Sequence, residues 1–242
     1  MPLIALISDV HGNIDALHMV LADMRERGAT EILCLGDIVG YGAAPSECVE
    51  LVRSHCSIVV TGNHDQLASE GGEHEYTERV AAGIRYARAT LTSEEMDWLR
   101  ALPLVEQTHG FTVVHASLAR PEAFSYLDTD DEALFHFRRQ ITPLCFIGHT
   151  HIPCIALDGR VIDWRFPDEE PIRFRQSHRY AVNVGSVGQP RDGDPRACYA
   201  LFDTEAQVFT LRRIPYDIKK AQSRIREARL PWENAVRLAL GG

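Results

Sequence analysis

Five short apolar runs in this chain stop on residues of one kind. LIALIS ends at Asp9 and His11, EILCLG at Asp37, CSIVVTG at Asn63 and His64, FTVV at His115, and CFIG at His149 and His151. Runs of this length bounded by glycine and polar groups fit buried strands better than helices. The fold must therefore bury the runs while leaving carboxylates, an amide and imidazoles outside the core. In open α/β sheets ligands bind beyond the carboxyl ends of the strands. The five endings then describe one site.

The text between the runs supports a parallel start. Ile14, Leu17, Val20, Leu21 and Met24 recur at helical spacing in 13–28, and Gly28 is a stop. APSECVELVRSH reads as a second helix with Pro45 near its start. These are βαβ units, and CSIVVTGNHD reads as the third strand. Helical, charged text fills 71–100, and DTDDEALFHFRRQI predicts a helix capped by Asp128 or Thr129. The last third predicts antiparallel pairs: a hairpin around Asp158 and Gly159, then YAVNVGS and ACYALFDTEAQVFTLRRIPY. A helical tail from Asp217 to Leu240 is broken at Pro231. No repeat or low-complexity linker divides the 242 residues, which predicts a single domain over 1–242.

The spacing within the endings narrows the chemistry. In an extended segment residues i and i+2 point to one side, so Asp9 with His11, and His149 with His151, are expected to aim into one cavity. Each pair alone is common in solvated turns; five coincident endings are not. Carboxylates and imidazoles without cysteine suit first-row ions such as Mn, Fe, Co, Ni or Zn, whereas calcium wants more oxygens. The six cysteines are scattered with no C-x-x-C pair and read as reduced thiols. Asp9, His11, Asp37, Asn63, His115, His149 and His151 are too many donors for one ion that also holds water, so two ions bridged by a carboxylate are expected. Two divalent ions, two ligand carboxylates and a hydroxide leave a charge of roughly +1, which favours a phosphate. His64 is needed by neither ion and is free to protonate a departing oxygen. The other histidines, His18, His55, His74, His109, His136 and His178, read as surface or packing residues.

Net charge is −9, which argues against bulk nucleic-acid or membrane binding. No apolar run approaches the roughly 18 residues of a membrane span, and the amino terminus lacks a basic region, so the expected location is the cytoplasm.

The ordered set D-x-H-G-N, G-D, G-N-H-D, H-A-S and G-H-T-H, from Asp9 to His151, resembles the calcineurin-like metallophosphoesterase superfamily. The resemblance implies an α/β fold, a four-layer α/β/β/α sandwich of two mixed sheets flanked by helices. It implies one ion on Asp9, His11 and His151, a second on Asn63, His115 and His149, and Asp37 bridging them. It also implies a dinuclear phosphoesterase that uses a metal-bridging hydroxide, with His64 contacting the phosphate and acting as general acid. Protein phosphatases of the superfamily carry G-D-x-V-D-R-G, but this chain reads GDIVGYG, with Gly40 and Tyr41 in place of the aspartate and arginine. That departure points away from phosphoproteins and toward a small phosphodiester, phosphomonoester or dinucleotide polyphosphate. Asp65 is left as a candidate partner of His64, although its adjacency disfavours good geometry. Arg120 and Tyr126 in one loop, and Arg191 and Arg196 in a Gly- and Pro-rich loop, are the expected substrate contacts. The second loop resembles one in small bacterial phosphoesterases, some acting on diadenosine polyphosphates. A metal-free scaffold on the same fold, resembling a retromer subunit, is the rival; the full donor set weighs against it.

Overall fold

The computed structural model describes residues 3–242. The chain begins β1 (Leu3–Ile7), α1 (Ile14–Glu26), β2 (Glu31–Cys34), α2 (Pro45–His55), β3 (Ile58–Val59) and α3 (Asn63–Glu70). A helical excursion, α4 (Glu78–Thr90) and α5 (Ser93–Arg100), leads to β4 (Val105–Thr108), β5 (Phe111–Val114), α6 (Asp130–Phe137) and β6 (Leu144–Ile147). The last third supplies β7 (Cys154–Leu157), β8 (Asp163–Arg165), β9 (Ile172–Arg173), β10 (Tyr180–Asn183), β11 (Ala197–Asp203) and β12 (Val208–Ile214). Helices α7 (Ile218–Glu227) and α8 (Trp232–Leu240) close the chain.

The strands form two six-stranded mixed sheets, ordered β3-β2-β1-β11-β12-β9 and β4-β5-β6-β10-β7-β8. Strands β1, β2 and β3 are parallel, as are β5, β6 and β10, and the later strands pair antiparallel. Alternation along β1 decides the layering, because successive side chains point to opposite faces. Ile4 and Leu6 face the second sheet, where they join Phe111, Phe146, Phe202 and Phe209 in the central core. Ala5 and Ile7 face outward and pack with Leu17, Val20 and Val49 from α1 and α2. On the other side, Cys145, Ile147 and Ala181 meet Phe137 of α6. Helix–sheet–sheet–helix layering follows, because each sheet has two apolar faces to cover.

Two local readings are corrected, and two strands are added. GNHD is not a strand end: β3 stops at Val59, and Asn63 opens α3, where the Asp65 carboxylate accepts the Gly62 N–H at 3.1 Å and closes the first turn. The β7–β8 pairing begins at Leu157 and Asp163, so the loop spans 158–162 rather than a two-residue turn at Asp158 and Gly159. Strand β4 carries polar VEQT and was invisible to an apolar-run criterion; its pairing with β5 defines it. Strand β9 is two residues long and extends an edge. Among the described residues no helix is long and apolar enough to cross a membrane, and all six cysteines are free.

Candidate metal centre

The parallel strands of both sheets run toward one edge, and the residues that follow them turn sharply there. Asp9, His11, Asp37, His149 and His151 all have φ between 48° and 68°, in the left-handed region that residues with side chains rarely occupy. This corrects the expectation that Asp9-x-His11 and His149-x-His151 are extended. Their side chains converge because the backbone coils after β1 and β6, not because it continues straight. The coils are held by loop-to-loop hydrogen bonds: Asp9 N–H to Gly36 O at 3.0 Å, His11 N–H to Asp37 O at 2.9 Å, and Gly188 N–H to Asp9 O at 2.9 Å. Strained residues of this kind persist where surrounding bonds over-determine them, and they cluster at functional sites.

Hydrogen bonds from behind fix how each group faces the centre. His11 Nδ1 donates to Val39 O at 3.0 Å, His115 Nδ1 to Leu35 O at 2.7 Å, and His151 Nδ1 to Gln189 O at 2.6 Å. A carbonyl only accepts, so each Nδ1 carries the proton, and in the neutral ring Nε2 is left with its lone pair. Asp9 Oδ2 accepts the His149 N–H at 3.0 Å, leaving Oδ1 buried with no partner. Asp37 Oδ1 accepts the His64 N–H at 2.8 Å, leaving Oδ2 for the centre. Asn63 Oδ1 is likewise buried and unpartnered.

The freed atoms lie at ligand spacing. His11 Nε2 and His151 Nε2 are 3.1 Å apart, and His115 Nε2 and His149 Nδ1 are 3.2 Å apart. His151 Nε2 is 3.3 Å from Asp9 Oδ1, and Asp37 Oδ2 is 3.5 Å from both His11 Nε2 and His115 Nε2. Metal–nitrogen bonds of about 2.1 Å place adjacent ligand atoms about 3.0 to 3.4 Å apart, so these distances fit first-row ions. Two groups emerge, Asp9–His11–Asp37–His151 and Asp37–His115–His149, with Asp37 common to both. Two imidazole lone pairs facing at 3.1 Å repel unless a cation lies between them.

The electrostatics record the same demand. Burial, with repulsion from Asp37, lifts Asp9 to about 7. Burial also holds His11 and His151 well below the usual imidazole range, and takes His149 down to about 3. Burial would raise Asp37, but the charges of His115 and His64 outweigh it and hold the carboxyl well below its usual range. Burial likewise opposes a charge on His115, yet Asp37 carries it up to about 9. Without a cation the cluster keeps a proton on His115 as the counter-charge to Asp37; a bound ion would displace it.

A cleft of about 80 Å³ opens on this centre, lined by Asp37, Asn63, His64, Tyr126, His149 and Arg191 among others. His64 is 4 % exposed, and its buried Nδ1 has no partner. Gly40 backs it closely: a Cβ there would lie 2.2 Å from His64 Nδ1. Asp65 does not assist this ring; its carboxylate accepts the N–H groups of Ile38 at 2.9 Å and Val39 at 3.2 Å and anchors the Asp37 loop. The Tyr126 ring lies 4.4 Å from that of His149. Arg120 instead borders a neighbouring cleft that shares Tyr126, and Arg196 is tied to Asp194 and Glu169. Three contributors escaped the sequence reading. The carbonyls of Val39, Leu35 and Gln189 orient the rings but leave no side-chain signature. Ser186 Oγ donates to Asp9 O at 2.8 Å from within an ordinary Gly–Ser stretch. Arg79 approaches from α4, which carries no motif.

A family model described as the calcineurin-like phosphoesterase superfamily domain matches residues 3–207. A metallophosphoesterase crystal structure from Sphaerobacter thermophilus aligns with a TM-score of 0.91 at 40% identity, covering 100% of this chain and 99% of that one. Protein MJ0912 of Methanocaldococcus jannaschii is 39% identical over 247 residues, 99% of this chain and 98% of the relative. Phosphodiesterase YfcE of Escherichia coli K12 is 24% identical over 208 residues, 82% of this chain and 85% of the relative. With two mixed sheets flanked by helices and a buried Asp/His cluster at their common edge, this chain belongs to the calcineurin-like phosphoesterase superfamily and is a phosphoric ester hydrolase.

Proposed function

We propose that the chain is a two-metal phosphoesterase that hydrolyses a small phosphodiester or a dinucleotide polyphosphate. One ion would sit on Asp9, His11 and His151, the second on Asn63, His115 and His149, and Asp37 would serve both. The observation that carries this reading is Asp37 Oδ2, equidistant at 3.5 Å from the Nε2 atoms of His11 and His115. Asn63 completes the second set because its buried Oδ1 has no other partner.

Bound divalent ions would lower the pKa of water in the cleft toward neutrality and neutralise charge developing on the phosphoryl oxygens. The chain does the rest. The carbonyl-anchored imidazoles hold their lone pairs in place before any ligand arrives, so little reorganisation is left for the reaction. His64 is driven down to about 4, chiefly by burial, and is therefore a neutral ring near pH 7. Its Nδ1 is shut in behind Gly40, which leaves Nε2 for the cleft. From Nε2–H the neutral ring would hydrogen-bond the leaving oxygen as charge develops there; a full proton comes from the imidazolium form, which the Asp37 charge favours and which returns to the neutral ring on donation. Arg191 and the Tyr126 ring, both lining the cleft, would contact the substrate beyond the scissile bond. A name given to the Escherichia coli relative, phosphodiesterase, supports diesters over monoesters.

The test is an assay of protein reconstituted with Mn, Fe, Co, Ni or Zn. Bis-p-nitrophenyl phosphate, p-nitrophenyl phosphate and diadenosine tetraphosphate are compared. The diester should turn over with a higher kcat/KM than the monoester. Absence of hydrolysis of all three, with two metal equivalents bound, would overturn the reading.

A further inference from the structure

The Tyr41 ring touches the rings of His11 and His64, each at 4.7 Å between centroids, so it forms a wall of the metal cluster. Two guanidiniums pack on this one ring: Arg79 from α4 at 5.3 Å and Arg191 from the Gly- and Pro-rich loop at 5.7 Å. Among the described residues neither has a carboxylate partner. Arg191 donates only to neutral groups, Tyr41 Oη at 3.4 Å and Gln189 Oε1 at 3.2 Å, and its Nε is buried without an acceptor. Arg79 Nη1 is also buried without an acceptor. By contrast Arg85, on the same helix as Arg79, is bridged to Glu78, and Arg196, in the same loop as Arg191, to Asp194. Two like charges thus share one ring, each with an orphaned donor and no hydrogen-bonded carboxylate among the described residues.

The approach of α4 is itself built. A Cβ at Gly83 would lie 2.6 Å from Tyr41 N, so only glycine lets the helix lie this close to the Tyr41 backbone. Tyr76 and Val80, either side of Arg79, line the same cleft as Asp37 and His149. The side chain of Arg79 is thereby brought onto the Tyr41 ring that walls the metal cluster, from a segment whose sequence announces no site.

We propose that Arg79 and Arg191, stacked on Tyr41, form a clamp for the non-bridging oxygens of a phosphoryl group held at the metal cluster. Arg79 is the new member, and α4 is the element that brings it. Guanidiniums suit this task because their planar N–H forks match phosphate oxygens, and stacking on an aromatic face fixes their orientation. The clamp rests on the phosphoesterase reading only for the identity of the anion.

The test is calorimetric titration of the metal-loaded protein with inorganic phosphate, alongside kcat/KM for bis-p-nitrophenyl phosphate. Arg79→Ala should weaken phosphate binding about 10- to 100-fold, the range for loss of charge-assisted hydrogen bonds. Arg79→Gln, which keeps a stem over Tyr41, should do the same, while Arg79→Lys should recover part of the affinity. Arg85→Ala on the same helix should change neither binding nor turnover. If Arg79→Ala or Arg79→Gln folds, keeps its metals and binds phosphate as the native protein does, the clamp is wrong. Native protein that hydrolyses nothing yet needs Arg79 for phosphate would instead refute the enzymatic reading and keep the clamp.

Discussion

His64 and His136 are both buried histidines driven down to about 4 by desolvation, and their surroundings separate their roles. His64 lies against the cleft with an orphaned Nδ1. His64→Gln should lower kcat about 10²- to 10⁴-fold, the usual share of a general acid, while metal content stays at the native value. His136 is satisfied on both nitrogens: Nδ1 accepts the Leu118 N–H at 3.1 Å and Nε2 donates to Gln140 Oε1 at 3.1 Å. It is a packing residue of α6, and its consequence is for stability. Its folded pKa lies below the unfolded value of about 6.5, so between the two the unfolded chain binds more protons. Its contribution is present above about pH 6.5 and is lost as pH falls toward about 4, amounting to about 2 kcal/mol by pH 5. Urea denaturation at pH 7.5 and pH 5 should show the native protein losing more stability than His136→Gln, by roughly that amount.

At the scale of elements, the strand endings were legible because apolar runs and polar stops are written in adjacent residues. The backbone conformation there was not. Asp9, His11, His149 and His151 reach the centre through left-handed turns that their side chains do not encode, since the carbonyls and N–H groups of other loops impose them. Asn63 and His64 were found as site residues but misread as strand, because Val60 and Thr61 prolong an apolar run whose pairing has already ended. The excursion over 71–100 was legible as helix and silent about purpose. Contact between α4 and Tyr41 depends on Gly83, a lone glycine in a helical text. Gly83→Ala inserts a Cβ against backbone, and the expected loss is about 1 to 3 kcal/mol in urea denaturation, the usual cost of overpacking.

For the whole molecule, the two sheets are more than a scaffold for one edge. The first supplies Asp9, His11 and Asp37, the second His115, His149 and His151, and the central core of Phe111, Phe146, Phe202 and Phe209 fixes the distance between them. Asp37 from the first sheet lies within reach of His115 from the second, so a shared carboxylate couples the halves of the fold. The central claim is that this one carboxylate serves two ions, and metal stoichiometry tests it most directly. Metal content per chain should be measured on reconstituted protein by plasma mass spectrometry, with circular dichroism confirming the fold. The native chain should hold two equivalents, and Asp37→Ala should lose both together. An Asp37→Ala chain that is folded and keeps one full equivalent, or a native chain that saturates at one, would contradict the account.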